Sequence, residues 1–114
     1  MADEIDTLQS YLLRAKTTVG RFSHVADAGQ YYHALDIASG PFIDNLRSHG
    51  STITWQKVQP VLPTVATIVG SMEDAAFAQN HDGVFNHSVA LVMELKPLPG
   101  WGVIRIPPPK GTPV

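Results

Sequence analysis

"SVALVMEL", residues 88–95, is the stretch on which the fold class turns. Val89, Leu91, Met93 and Leu95 alternate with Ala90, Val92 and Glu94. Alternation of period two is the pattern of a strand with one buried face. Past the connection "KPLPG" comes "WGVIRI" at 101–106, and the two runs predict an antiparallel β-hairpin. An isolated hairpin is marginal in water, so it needs a third strand, a helix face or a strand from another copy. "TITWQKV" at 52–58 has the β-propensity for that third strand, although Ser51 before it could equally cap a helix.

Upstream the period changes. Ile5, Leu8, Leu12, Ala15, Val19 and Phe22 are spaced 3, 4, 3, 4, 3, which predicts an amphipathic helix over about 3–22. Asp3, Glu4 and Asp6 at its start and Arg14, Lys16 and Arg21 further on match the helix dipole. "AGQYYHALDIAS" (28–39) reads as a second helix with Tyr32 and Leu35 inward and Ala28 or Ile37 as further inward candidates. "SGPFIDNLRSHG" (39–50) reads as a short third, with Pro41 in its first turn and Gly50 as its stop. Val65, Ile68, Val69, Met72 and Ala76 fit a fourth helix, ended by a turn at 80–83.

These elements predict an α+β fold: N-terminal amphipathic helices packed on a small antiparallel sheet, with a C-terminal β-hairpin and an extended Pro-rich tail. Residues 1–106 form the single domain and 107–114 a polyproline-like arm. The expected core is Ile5, Leu8, Leu12, Val19, Phe22, Leu35, Ile68, Val69, Met72, Val89, Leu91 and Met93.

The chain has 114 residues, 44% apolar and only 16% charged, with a net charge of −2. That is one folded domain with fewer charges than a solvated surface usually carries, which fits either apolar surface covered by a partner or a polar, uncharged surface rich in Ser, Thr, Asn and Gln. Basic residues are scattered, so phosphate neutralisation and nucleic-acid binding are not expected. Zero cysteines exclude disulfides and thiolate sites. The acidic start "MADEID" is unlike a signal peptide, and no apolar run reaches membrane-spanning length. A soluble protein, cytoplasmic when made and able to join a particle, is expected, without membrane contact.

Three groups of residues could carry chemistry or contacts. "AQNHDGVFNHS" (78–88) places His81, Asp82 and His87 together as metal-ligand types, but a six-residue separation through a glycine matches no established ligand spacing. Its Asx and Gly residues are those that turns select, so a connection is the expectation. His24 with Asp27 and His33 with Asp36 are i, i+3 pairs. Each carboxylate could raise the basicity of its imidazole, as general-base chemistry requires, but surface helix pairs have the same spacing. There is no G-x-S-x-G elbow and no phosphate-binding glycine loop. Trp101, between two glycines, and Pro107, Pro108 and Pro109 are candidate partner contacts.

The expectation is therefore a structural or interaction subunit of a homo-oligomeric or repeating assembly, a virion component being one such setting. Its partners would be its own copies or a larger protein scaffold, joined through the hairpin edge and the C-terminal arm, with no cofactor. The alternatives are a small His/Asp-dependent enzyme, with or without a metal, and a regulatory protein-binding inhibitor.

Overall fold

The computed structural model describes residues 2–22, 24–25, 28–48 and 56–98, with side chains from residue 4 onward. Among the described residues the α-helices with defined bounds are, in order, α1 (Ala2–Gly20), α2 (Ala28–Ser39), α3 (Pro41–Arg47), α4 (Leu62–Phe77) and α5 (His81–Leu95). A 3-10 turn at Gln59–Val61 leads into α4. No strand is present among the described residues.

The α+β expectation is thus overturned, and the fold is a helical bundle. Residues 88–95, expected to be a strand, are the C-terminal half of α5. The buried residues of α5 are Val84, Ser88, Leu91 and Leu95, spaced 4, 3, 4, which is a helical stripe. One member of that stripe is a serine, which hides the period. Its hydroxyl donates to the Val84 carbonyl at 2.9 Å, so its burial leaves no polar group unsatisfied. The residues expected on one strand face are separated by the helix. Leu91 and Leu95 are fully buried, Val89 is half-buried and Met93 is 58% exposed. Of the expected third strand, residues 56–58 are helical and 52–55 lie outside the described residues. The second hairpin arm (101–106) and the tail (107–114) also lie outside them.

α1 follows its sequence pattern, with Ile5, Leu8, Leu12, Ala15 and Val19 all buried and Phe22 buried just beyond it. α2 runs antiparallel to it, since Lys16 pairs with Asp36 and the Gln9 side chain donates to the Ser39 carbonyl at 2.8 Å. In α2 it is Tyr31 that is buried, while Tyr32 is 42% exposed, the reverse of the expected placement. Pro41 opens α3 at a position where its missing N–H costs nothing, and Phe42, Ile43 and Leu46 are fully buried. Arg47 of α3 pairs with Asp6 of α1.

α4 lies beside α1 and runs in the same direction, as the Arg14–Glu73 and Phe22–His81 contacts show. α5 returns antiparallel along α4. The core lies between the two helical hairpins: Leu8, Leu12, Leu35, Ile43, Val65, Val69, Met72 and Leu91 belong to one cluster. Ile68 and Val89 of the expected core pack at its margin rather than inside it.

The helical assignment of 88–95 has a direct mutational signature. Leu12→Ala and Leu91→Ala should each lower the unfolding free energy by about 2–5 kcal/mol, as for a fully buried leucine. Met93→Ala, measured by urea denaturation at low protein concentration, should change it by less than about 0.5 kcal/mol. Equal losses at 91 and 93 would restore the strand.

Candidate functional site

The segment 78–88 turns out to be a corner followed by a helix. α4 ends as the Ala78 N–H donates to the Asp74 carbonyl and Gln79 adopts φ 59. The Asn80 N–H donates to the Ala75 carbonyl at 2.8 Å and the Gln79 N–H to the Ala76 carbonyl at 3.1 Å. This is the paired closure of a Schellman motif, with Gln79 where glycine is usual. Asn80 then caps α5, its Oδ1 accepting from the Gly83 N–H at 3.0 Å. A Cβ on Gly83 would lie 2.5 Å from the Asn80 Nδ2, so this cap needs the glycine.

The turn therefore occupies only 78–80, and His81, Asp82 and His87 are all on α5. Six residues along a helix place His81 and His87 about 120° apart around the axis, so they do not converge. His81 instead meets His24, with ring centroids 6.0 Å apart and planes at 86°. Phe22 lies edge-on to His81 at 4.8 Å. Nearby, Tyr31 stacks on Phe85 at 5.1 Å. Two histidines from different sequence candidates thus close one end of the bundle, joining the α1–α2 connection to the start of α5. A metal requires more: no group of three or more His, Asp or Glu that could hold an ion occurs among the described residues.

Of the His/Asp pairs, Asp27 lies outside the described residues, and so do Trp101, Pro107, Pro108 and Pro109. His33 and Asp36 are both exposed on α2. The Lys16 ammonium donates to Asp36 Oδ1 at 2.7 Å and, with a smaller contribution from His33, holds that carboxyl below its ordinary value of 3.8. Asp36 in turn holds Lys16 above its ordinary value. This carboxylate is engaged in tying α1 to α2. The buried hydroxyls are committed as well: Thr18 donates to the Arg14 carbonyl and Ser39 to the Asp36 carbonyl. Each closes on its own helix turn, as Ser88 does.

What the described surface does offer is apolar. Phe77 is 91% exposed at the end of α4, and Leu13 on α1 is 44% exposed. With Met93 and Tyr32, four helices each present one large apolar side chain. Shallow grooves of about 500 Å³ beside Tyr32 and Gly20 and about 340 Å³ beside Leu13 and Arg14 flank the outer edge of α1. The exposed Phe77 was readable in principle, because it falls one position, about 100°, past Ala76, the last residue of the α4 stripe. The His24–His81 approach had no local signal, since the two are far apart in sequence.

No helix among the described residues is long and apolar enough to cross a membrane. The fold and surface define a class, a small helical bundle with exposed apolar side chains. No family model matches the chain, and no curated protein or solved structure matches it.

Two measurements check this geometry. Asn80→Ala should destabilise by about 0.5–2 kcal/mol through loss of the cap. Gln79→Gly should stabilise by about 0.5–1 kcal/mol, because relief of the left-handed conformation outweighs the entropy glycine gains when unfolded. Thermal unfolding of both variants should show opposite shifts.

The Lys16–Asp36 pair gives one expected pH response. Asp36, depressed in the folded state, contributes fully above 3.8 and loses its contribution as pH falls through its lower folded value. Lys16, raised, contributes below 10.5 and loses its contribution only as pH climbs past its folded value. NMR titration should place the Asp36 midpoint below 3.8 and move it upward in Lys16→Met. A midpoint indifferent to that substitution would mean the pair does not form in solution.

Proposed function

We propose that the chain is a structural or interaction subunit, joining its own copies or a protein scaffold into a larger assembly. The observation that carries this is Phe77, 91% exposed at a rigid helical corner. A phenylalanine in water forgoes about 1.5–3 kcal/mol that burial would return. Its backbone is fixed by the closure of the Ala78–Asn80 turn, so docking it would cost little chain entropy. Scattered exposed apolar residues are ordinary on a soluble protein. Here, however, they sit on a chain with only 16% charged residues.

A hairpin edge at 88–106 does not serve as the connector, because its first arm is helical. The contacts would instead be helical surfaces and the 78–80 corner. The C-terminal arm, with Trp101 and Pro107 to Pro109, keeps its proposed role on sequence grounds alone.

Sedimentation velocity over a concentration series tests the proposal. The full chain should populate species larger than one copy. Phe77→Ser should shift that distribution toward smaller species while circular dichroism and the unfolding midpoint of dilute protein stay unchanged. A chain that remains a single copy at all concentrations, with Phe77→Ser behaving identically, would remove the proposal's support.

A further inference from the structure

Charge is distributed unevenly over the bundle. α4 from Leu62 to Met72 and α5 from Gly83 to Met93 contain no charged residue. The two helices pack antiparallel, so these stretches lie side by side. On the outer side of the pair, Thr64 and Thr67 of α4 are exposed and Ala90 of α5 is half-buried. This is a face of the molecule that two copies could approach without desolvating charge.

Within it, α5 carries a second stripe, away from its buried one. Asp82, Asn86, Val89, Met93 and Lys96 are spaced 4, 3, 4, 3, the spacing of a helix–helix seam. Val89 is half-buried and the other four are exposed. Lys96, the C-cap, still has helical dihedrals, so the stripe runs unbroken to its end. Asp82 and Lys96 have no ion-pair partner among the described residues, as is also true of Arg21, Asp44, Lys57, Asp74 and Glu94, so their charges are free to meet another copy.

The order along the stripe is acid, polar, apolar, apolar, base. Two parallel copies would set Asp82 against Asp82 and Lys96 against Lys96. Two antiparallel copies, related by a two-fold axis at Val89, set each Asp82 against the Lys96 of the other copy. Val89 then meets Val89, and Met93 meets Asn86. Such an isologous contact uses each complementary pair twice.

We infer that a second copy of this chain docks on the outer face of α5, antiparallel about Val89, with Asp82 and Lys96 paired across the interface. The inference rests on the assembly proposal and names the surface and partner for one of its contacts. Rim charges of this kind select orientation and register, while the apolar centre supplies the attraction.

Sedimentation equilibrium on the full chain and four variants tests it. Met93→Lys, exposed and in the last turn of α5 where a cation suits the helix dipole, should weaken dimerisation about tenfold or more by placing charge in the seam. Asp82→Lys and Lys96→Asp should each weaken it about tenfold, because each converts two attractive pairs into two repulsive ones. The double exchange, Asp82→Lys with Lys96→Asp, should recover most of that loss. Both exchanges oppose the dipole of α5, so circular dichroism must show the helix retained; Met93→Lys carries no such complication. Because the chain has no cysteine, Val89→Cys should also oxidise to a symmetric covalent dimer, and His33→Cys on α2 should not. Association indifferent to Met93→Lys and to both exchanges would overturn this interface and leave the broader assembly proposal standing. A double exchange that fails to recover while its helix is intact would overturn the antiparallel pairing. A chain that stays a single copy at every concentration would overturn the inference and the assembly proposal's self-association together.

Discussion

Leu8, Leu12, Ala15 and Val19 on α1 are fully removed from water, and the bundle is arranged around that stripe. α1 touches every other described helix: α2 and α4 along its length, α3 near its start and α5 more lightly. Burial of each large side chain there contributes about 1.5–3 kcal/mol, which dwarfs what exposed ion pairs supply. Three interhelical ion pairs among the described residues have a different use. Asp6, Arg14 and Lys16 of α1 reach Arg47 of α3, Glu73 of α4 and Asp36 of α2 respectively. Hydrophobic attraction is indifferent to which helix slides where. Three pairs to three different neighbours are not, and a shift of one helical turn would separate each of them.

The 78–80 corner solves a second constraint. α4 and α5 must reverse direction within three residues while sealing one end of the core. The Schellman closure satisfies the last carbonyls of α4, and the Asn80 cap satisfies an early N–H of α5. Gly83 is small because the Asn80 side chain lies where its Cβ would be. Phe22, His24 and His81 then cover the end. The residues that looked most like a catalytic or metal loop are thus occupied with turning the chain, and Phe77 is left outside because the helix phase at its end points it outward.

How much of this was legible in the sequence depended on whether apolar residues alone marked the buried stripe. On α1 they did, because Ile5, Leu8, Leu12, Ala15 and Val19 mark the stripe without a break and the buried Thr18 lies beside it, and the helix emerged with nearly its true bounds. On α5 they did not. Ser88 interrupts the inward stripe, while Val89 and Met93 supply an outer one, and the superposition of the two mimics strand alternation. In α2, adjacent tyrosines left the phase undetermined, and packing against Phe85 rather than composition put Tyr31 inside. α3 declared itself through Pro41, but its three fully buried residues were not visible as core, because a seven-residue helix holds barely two turns of pattern. The Asn80 cap was foreshadowed by the Asx-rich composition around it, although the turn proved shorter than expected. The meeting of His24 with His81 depends on how the two hairpins dock, and no local pattern encodes that.

The outer stripe that obscured α5 has a structural consequence of its own. A helix needed only for the core can afford charged residues on its far side, and α1 places them there. α5 instead holds Asn86, Val89 and Met93 outward, with its unpaired charges only at the two ends. Selection for solubility alone would not favour that arrangement. A surface self-complementary about a two-fold axis closes after two copies and cannot extend further by itself. Phe77 lies on the neighbouring helix, outside that stripe, so its contact need not obey the same axis. A building block of a growing assembly needs such a pair of unlike surfaces, one that closes and one that continues. Under the proposed assembly α4 and α5 would supply both, Phe77 at the corner and the outer stripe along α5, while Asp6, Arg14, Lys16, Asp36 and Arg47 on α1, α2 and α3 are engaged in ion pairs, Arg14 with Glu73 of α4.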